Sequence, residues 1–120
     1  MQLDDTRLVV SEVAGVTQVA FKDRNILEES AIAQLNEEIS RLIGATPNPK
    51  LMLTFRTVEH MSSAALGMLI DLHNRVRAKG GQFRLAAIRP DVLEVFKITG
   101  LNKMFSIHPD EDQAMGSFRK

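Results

Sequence analysis

The side chains that could carry acid–base or metal chemistry are scattered along the chain. The three histidines, His60, His73 and His108, lie far apart, whereas the ligands of a metal site recur at short, characteristic spacings. The carboxylates are dispersed as well, and none forms a recognisable relay with a histidine. We therefore expect no metal site, no catalytic residue and no cofactor, and we expect His73 to face outward from its helix.

Cysteine chemistry and a glycine-rich phosphate loop are also excluded. The chain has no cysteine, so it has no disulfide framework, no thiolate metal site and no cysteine nucleophile. Gly80 and Gly81 follow a predicted helix and precede a predicted strand, whereas a phosphate-binding loop places its glycines before a helix. The pair is therefore interpreted as the end of the helix. These exclusions favour a protein that is not an enzyme.

The clearest potential for chemistry lies in segment 58–67. Here Ser62 and Ser63, followed by small residues, open a predicted helix after a buried strand and a short polar loop. A serine at this place commonly caps the helix, because its hydroxyl accepts a hydrogen bond from a free backbone N–H, which is worth about 1 kcal/mol. A helix N-terminus also favours negative charge, so the same hydroxyls are candidates for a phosphoserine or an anion site.

Short apolar segments and amphipathic segments alternate around these serines. The predicted strands cover residues 8–13, 16–21, 50–55, 83–88 and 104–107, and the predicted helices cover residues 28–43, 63–79, 90–99 and 110–118. A tight turn at Gly15 makes the first two strands a hairpin. The pattern predicts an α/β fold with a mixed β-sheet of about five strands and about four helices packed on it, forming a single domain over residues 1–120.

Apolar residues at strand and helix spacing predict the core. The residues expected to be largely buried are Leu51, Leu53, Phe55, Leu69, Leu72, Val76, Leu85 and Phe96. Further inward-facing positions are Ile32, Leu35, Ile39 and Leu42 on the first helix, Ala65 on the second, and Val92, Leu93 and Val95 on the third. All six aromatic residues are Phe in apolar patterns, and we expect them in the core.

Charge and hydropathy bound the classes of partner. The 15 basic and 15 acidic residues balance, so the formal net charge is zero and no electrostatic attraction to nucleic acid or to an anionic membrane is expected. Residues 1–5 carry acid where a secretory signal carries base, and no apolar stretch is long enough to span a bilayer. These features predict a cytoplasmic protein, with its oligomeric state left open.

Several motifs in order resemble the STAS domain family, of the anti-sigma factor antagonist type. In that family a hydrophobic residue, then Asp-Ser-Ser or Asp-Ser-Thr, then Gly-Leu-Gly opens a helix. Segment 61–67 reads Met-Ser-Ser-Ala-Ala-Leu-Gly and aligns without a gap. The supporting segments are 77–81 before a strand, 90–92 at a helix start, and 98–101 with Phe105 after it. The resemblance covers nearly the whole chain.

The resemblance implies a mixed sheet with helices on its face and a role in partner switching. In such a role the unphosphorylated domain binds an anti-sigma factor, often a serine kinase, and phosphorylation by that kinase breaks the complex. The positions that would bind the partner are His60, Met61, Ser62, Ser63, Ala64, Leu66 and Gly67.

Two positions depart from the family pattern. The family's Asp falls on Ser62, and its usual phosphoacceptor falls on Ala64, whose methyl group cannot accept a phosphate. Either Ser63 or Ser62 takes over as the phosphorylated residue, or the domain is not switched by phosphorylation. The alternative function is an unswitched scaffold, or a small-ligand-binding STAS domain, within a larger signalling complex.

Overall fold

The computed structural model describes residues 7–118, so the acidic segment 1–5 lies outside the described residues. The strands are β1 (Leu8–Val13), β2 (Val16–Phe21), β3 (Asn25–Ile26), β4 (Lys50–Thr54), β5 (His60–Met61), β6 (Gln82–Ala86) and β7 (Ser106–His108). The helices are α1 (Glu29–Gly44), α2 (Ser63–Ala78), α3 (Pro90–Thr99) and α4 (Glu111–Gly116), with a 3-10 turn at Leu101–Lys103. No helix within residues 7–118 has the length and apolar character to cross a membrane.

The main sheet has five strands in the order β1-β2-β4-β6-β7. β1 and β2 form the predicted antiparallel hairpin, and every other pair in this sheet is parallel. Both turn residues, Ala14 and Gly15, have positive φ, as the tight two-residue turn between twisted strands requires. The mixed five-stranded sheet and the four helices confirm the predicted α/β fold. A second, two-stranded sheet of β3 and β5 was not predicted.

The two faces of the sheet pack against different helices. Leu51 and Leu53 belong to the larger core with α1, α2 and α3, whereas Met52 joins a smaller cluster with Ala114 of α4. Alternate strand residues point to opposite faces, so one strand supplies both clusters. The eight residues predicted to form the core are all at most 2% exposed: Leu51, Leu53, Phe55, Leu69, Leu72, Val76, Leu85 and Phe96.

The end of α2 confirms the interpretation of Gly80 and Gly81. The Gly80 N–H donates to the Arg77 carbonyl, and the Gly81 N–H donates to the Val76 carbonyl. Gly80 adopts φ of +72°, a left-handed conformation that glycine enters without a Cβ clash. The glycines therefore end the helix and turn the chain into β6.

The burial of three residues differs from the prediction. His73 was predicted to face outward, and Val95 and Phe118 were predicted to lie in the core. His73 does not face outward, because its ring packs edge-on against Phe105 with centroids 5.4 Å apart, and burial lowers its pKa. Val95 is exposed, because Val92 and Phe96 occupy the inner face of α3. Phe118 is half-buried, with the Arg84 guanidinium 5.1 Å from its ring centroid.

A polar cluster ties α4 to the sheet. The Arg56 guanidinium donates to both carboxylate oxygens of Glu111, at 2.6 and 3.0 Å, and the Thr54 hydroxyl donates to Glu111 Oε2 at 2.6 Å. The hydrogen bonds from Arg56, with a further one from Thr54, lower the pKa of Glu111 to about 2. Glu111 is therefore a carboxylate at neutral pH and fixes the first turn of α4 beside β4.

Candidate functional site

The two short strands β3 and β5 position the beginning of α2. Their parallel pairing sets Asn25 beside His60 and Ile26 beside Met61. At one end, the Glu59 and His60 N–H groups both donate to the Arg24 carbonyl, at 2.7 and 3.1 Å. At the other end, the Ser62 N–H donates to the Ile26 carbonyl at 3.1 Å. The backbone entering α2 is thus held by hydrogen bonds along its whole approach.

The two serines have different environments. Ser62 is the N-cap of α2, and its hydroxyl accepts a hydrogen bond from the Ala65 N–H at 3.2 Å. This confirms that one of the two serines caps the helix. Ser63 is exposed at the first helical position. Of the two hydroxyls, that of Ser62 is engaged in the cap, whereas Ser63 projects from the exposed first turn.

Most of the predicted partner-binding positions form one continuous patch, which we call the α2 N-terminal surface. It consists of His60, Met61, Ser62, Ser63, Ala64 and Gly67. His60, Ser63, Ala64 and Gly67 are exposed, and the other two are half-buried. Leu66, the seventh predicted position, is only 7% exposed and packs into the core, so it supports this surface from below.

Gly67 stands in the first turns of α2 without a steric reason within the described chain. A Cβ built on it would meet no atom within 4 Å. Glycine in a helix interior costs about 0.5–1 kcal/mol relative to alanine, because the unfolded chain loses more conformational freedom. The fold itself therefore does not require a glycine here, and the position leaves the helix backbone open to close approach from outside.

A cavity of about 130 Å³ adjoins the α2 N-terminal surface. His60, Met61 and Leu66 line it from the α2 side, and Asp91 and Val95 line it from α3. Its wall thus combines apolar side chains with one imidazole and two carboxylates, those of Glu59 and Asp91.

The charged residues around this cavity come from three separate segments. The Glu59 carboxylate lies 3.9 Å from the guanidinium of Arg24 and 3.9 Å from that of Arg89. At that distance and exposure each pair contributes little to stability. The arrangement places two exposed cationic side chains, those of Arg24 and Arg89, beside the Glu59 carboxylate.

Exposed apolar side chains occur on α3 and directly after β3. Val95 lines the cavity and is 41% exposed, and Ile98 on the next turn of α3 is 77% exposed. Leu27 follows β3 and is about half exposed. Of these three, Val95 is the residue that the shared cavity places beside the α2 N-terminal surface.

No group of three or more His, Asp or Glu side chains that could hold a metal ion occurs in the part of the chain that the structure describes. The three histidines lie in different places. His60 is on the α2 N-terminal surface, and His73 packs against the core. The His108 Nε2 atom is hydrogen-bonded to the Ser106 hydroxyl at 3.0 Å.

Comparison with known families decides the classification of this fold and site. The profile of the STAS domain family matches residues 23–114. The chain belongs to the STAS domain family. The matched range contains the β3–β5 pair, α2 and the whole α2 N-terminal surface.

Relatives of this STAS domain include proteins named for sigma-factor regulation. An anti-sigma F factor antagonist from Paenibacillus polymyxa is 25% identical over 65 residues, which cover 54% of this chain and 56% of that relative. The match thus spans little more than half the length of that relative.

Solved structures share the fold of this STAS domain. An anti-sigma-factor antagonist (STAS) domain protein from Planctomyces limnophilus superposes with a TM-score of 0.84 at 18% identity, covering 92% of this chain and 96% of that one. An anti-sigma factor antagonist from Mycobacterium paratuberculosis gives a TM-score of 0.82 at 24% identity, with 94% and 93% covered. At these identities the similarity establishes the fold.

The partner-binding positions predicted from the sequence of this STAS domain all lie in β5 and the first turns of α2, and the neighbouring residues from other segments were not predicted. Arg24, Glu59, Arg89 and Asp91 join the surface only through the β3–β5 pair and the start of α3. Val95 carried a usable signal, since Val92 and Phe96 already complete the inner stripe of α3 at a spacing of four residues.

Proposed function

We propose that this STAS domain is an anti-sigma factor antagonist-like protein-interaction module. Its α2 N-terminal surface binds an anti-sigma factor or a related serine-kinase-type regulator, and the domain acts by binding rather than by catalysis. The names of its relatives support this class of partner. Such a partner also requires the cytoplasmic location that the sequence predicts.

The observation that carries the proposal is Gly67 on an open helix face. Its missing side chain lets another backbone approach α2 closely, and no packing within the described chain accounts for it. The adjacent cavity can receive an apolar side chain from the partner between Met61 and Val95. A few buried anchor side chains supply most of the affinity in protein interfaces.

The methyl group of Ala64 determines how this binding is regulated. Ala64 is exposed at the position of the family's usual acceptor, so phosphate cannot be attached there. A phosphoserine would add a charge of about −1.5 to −2 to the surface and oppose its desolvation by a partner. Without that acceptor the domain binds its partner constitutively. Of the two serines that could replace residue 64 as the phosphoacceptor, the exposed Ser63 is the stronger candidate, because the hydroxyl of Ser62 is engaged in the helix cap.

Because Ala64 cannot be phosphorylated, a second candidate function is an unswitched scaffold or a small-ligand-binding domain within a larger signalling complex. A ligand would occupy the cavity beside His60 and Asp91. The two functions differ in the protein that the surface retains: an ATP-binding regulator in the first, and only scaffold proteins or further copies of this chain in the second.

The test is a pulldown from the native source with wild type and two matched variants. Gly67→Arg places a long charged side chain on the surface, and the open space around Gly67 leaves room for it in the fold. Glu37→Arg is the control, because Glu37 is exposed on α1 in a surface ion pair. We expect wild type and Glu37→Arg to retain an ATP-binding regulator and Gly67→Arg to lose it, with unchanged circular dichroism. Equal retention by all three would contradict the proposed surface.

A further inference from the structure

β1 is an edge strand of the main sheet with unusually apolar exposed residues. Within residues 7–118 it pairs only with β2. Val9, Val10 and Val13 are 54%, 44% and 48% exposed. Edge strands are usually protected by lysine, proline or a bulge, because their free backbone groups pair readily with another strand. β1 has no lysine and no proline, its one charged residue is Glu12, and its register with β2 runs without a skipped position.

Alternate residues of β1 direct their backbone groups away from β2. The Arg7 carbonyl accepts a hydrogen bond from the Lys22 N–H at 3.0 Å, so Arg7 directs its backbone toward β2. In an antiparallel pair, alternate residues direct their N–H and C=O groups to opposite sides. Residues 9, 11 and 13 therefore bond to β2, whereas Val10 and Glu12 direct their backbone groups to the outer edge.

We propose that β1 pairs antiparallel with β1 of a second copy of this chain, about a two-fold axis at Ser11. Backbone hydrogen bonds then join Val10 of each copy to Glu12 of the other. Ser11 of one copy lies opposite Ser11 of the other. On the face of the sheet that carries α4, Val9 of each copy lies against Val13 of the other. All the exposed β1 valines are covered, and the joined sheets form one sheet of ten strands.

Other registers match these residues less well. An axis at Val10 brings only one pair of valines together, the two Val10 residues. It also sets Leu8 of each copy opposite Glu12 of the other, although Leu8 is only 4% exposed and belongs to the core of its own chain. The register at Ser11 makes two Val9–Val13 contacts and uses no group of Leu8. Apolar cross-strand pairs stabilise a sheet, and a shift by one residue would move the valines to the other face.

Charge favours a second copy as the occupant. The formal net charge of the chain is zero, so two copies experience no net repulsion at neutral pH. Each Glu12 lies opposite Val10 of the other copy, so the two carboxylates are not directly opposed. The contact is confined to one strand and buries less than the roughly 1,200 Å² typical of stable interfaces, so the dimer is weak and depends on concentration.

Cysteine cross-linking tests the register directly, since the full chain has no cysteine. Facing residues that are not hydrogen-bonded lie about 4.5 Å apart at Cα, within disulfide reach. Ser11→Cys should form a covalent dimer under mild oxidation. Gln18→Cys is the matched control, because Gln18 is paired with Ser11 but lies one strand further from the axis. Equal cross-linking of the two variants overturns the register.

Sedimentation equilibrium tests the dimer without cysteine. We expect the dimer fraction of wild type to rise with concentration toward the millimolar range. Val10→Pro removes an N–H that points to the free edge, where proline is tolerated. This variant should keep the thermal midpoint of wild type and remain monomeric. A wild type that is monomeric throughout overturns the proposal and leaves the edge to a different chain. A Val10→Pro variant that dimerises as wild type does overturns the role of β1.

Discussion

The Ser62 hydroxyl lies 3.2 Å from the backbone nitrogen of Ala65 and accepts its hydrogen bond at the beginning of α2. Ser62 has extended backbone angles, and its own carbonyl accepts from the Leu66 N–H. Its neighbour Ser63 is exposed. Two adjacent serines therefore separate into one that stabilises the helix and one that is available at the surface.

Replacing Ser62 by alanine should lower the free energy of unfolding by about 0.5–2 kcal/mol, because the Ala65 N–H loses its partner. Ser63→Ala is the matched control and should change it by less than about 0.5 kcal/mol. Urea denaturation followed by circular dichroism measures both. Equal destabilisation by the two substitutions would show that the cap is not specific to Ser62.

Leu69→Ala should cost about 2–5 kcal/mol of stability, because Leu69 is fully buried and alanine leaves a cavity in the larger core. Asn74→Ala, on the exposed side of the same helix, should have little effect. The midpoint of chemical denaturation distinguishes the two. An unchanged midpoint for Leu69→Ala would be incompatible with the packing of α2 described above.

Gly67→Ala should stabilise the isolated domain by about 0.5–1 kcal/mol, since alanine suits a helix interior and its Cβ meets no atom within 4 Å. Thermal unfolding of the two proteins measures the gain. If the stability falls instead, the fold itself requires glycine at this position, and the argument for close approach by a partner is lost.

Glu111→Gln should remove a pH-dependent part of the stability. The folded-state pKa of Glu111 is about 2, below its ordinary value of 4.5. Its contribution is therefore complete above pH 4.5 and is lost as the pH falls from about 4.5 to about 2. At pH 7 the variant should be less stable than wild type by about 1–2 kcal/mol, and the difference should shrink across that range. Glu37→Gln, which removes an exposed ion pair, should show a much smaller difference at neutral pH.

Wild type should gain little phosphate when incubated with its partner kinase and ATP, because Ala64 carries no hydroxyl. Ser62→Asp combined with Ala64→Ser should restore an acceptor, and aspartate caps a helix as well as serine does. Intact-mass analysis measures both proteins. Stoichiometric phosphate on wild type, mapped to Ser63 or Ser62, would show that this chain retains a switch at a shifted position.

The sequence-based predictions succeeded where a local pattern carries the information. Leu69, Leu72 and Val76 recur at helical spacing, so their burial followed from periodicity alone. β3 and β5 escaped prediction because strands of two residues are too short to show an alternation. His73 was misassigned for a different reason: its aromatic neighbour Phe105 is distant in the sequence and reaches it only in the folded chain.

The sequence by itself determined the order of the main elements, the inner faces of the helices, the cap at the start of α2 and the absence of a hydroxyl at residue 64. Each of these depends on residues within about one or two helical turns of each other. The tertiary structure alone decided that Arg24, Glu59 and Arg89 meet beside α2 and that His73 packs against Phe105. It also decided that β1 lies at the edge of the sheet, because strand order depends on contacts between distant segments, which no local spacing encodes.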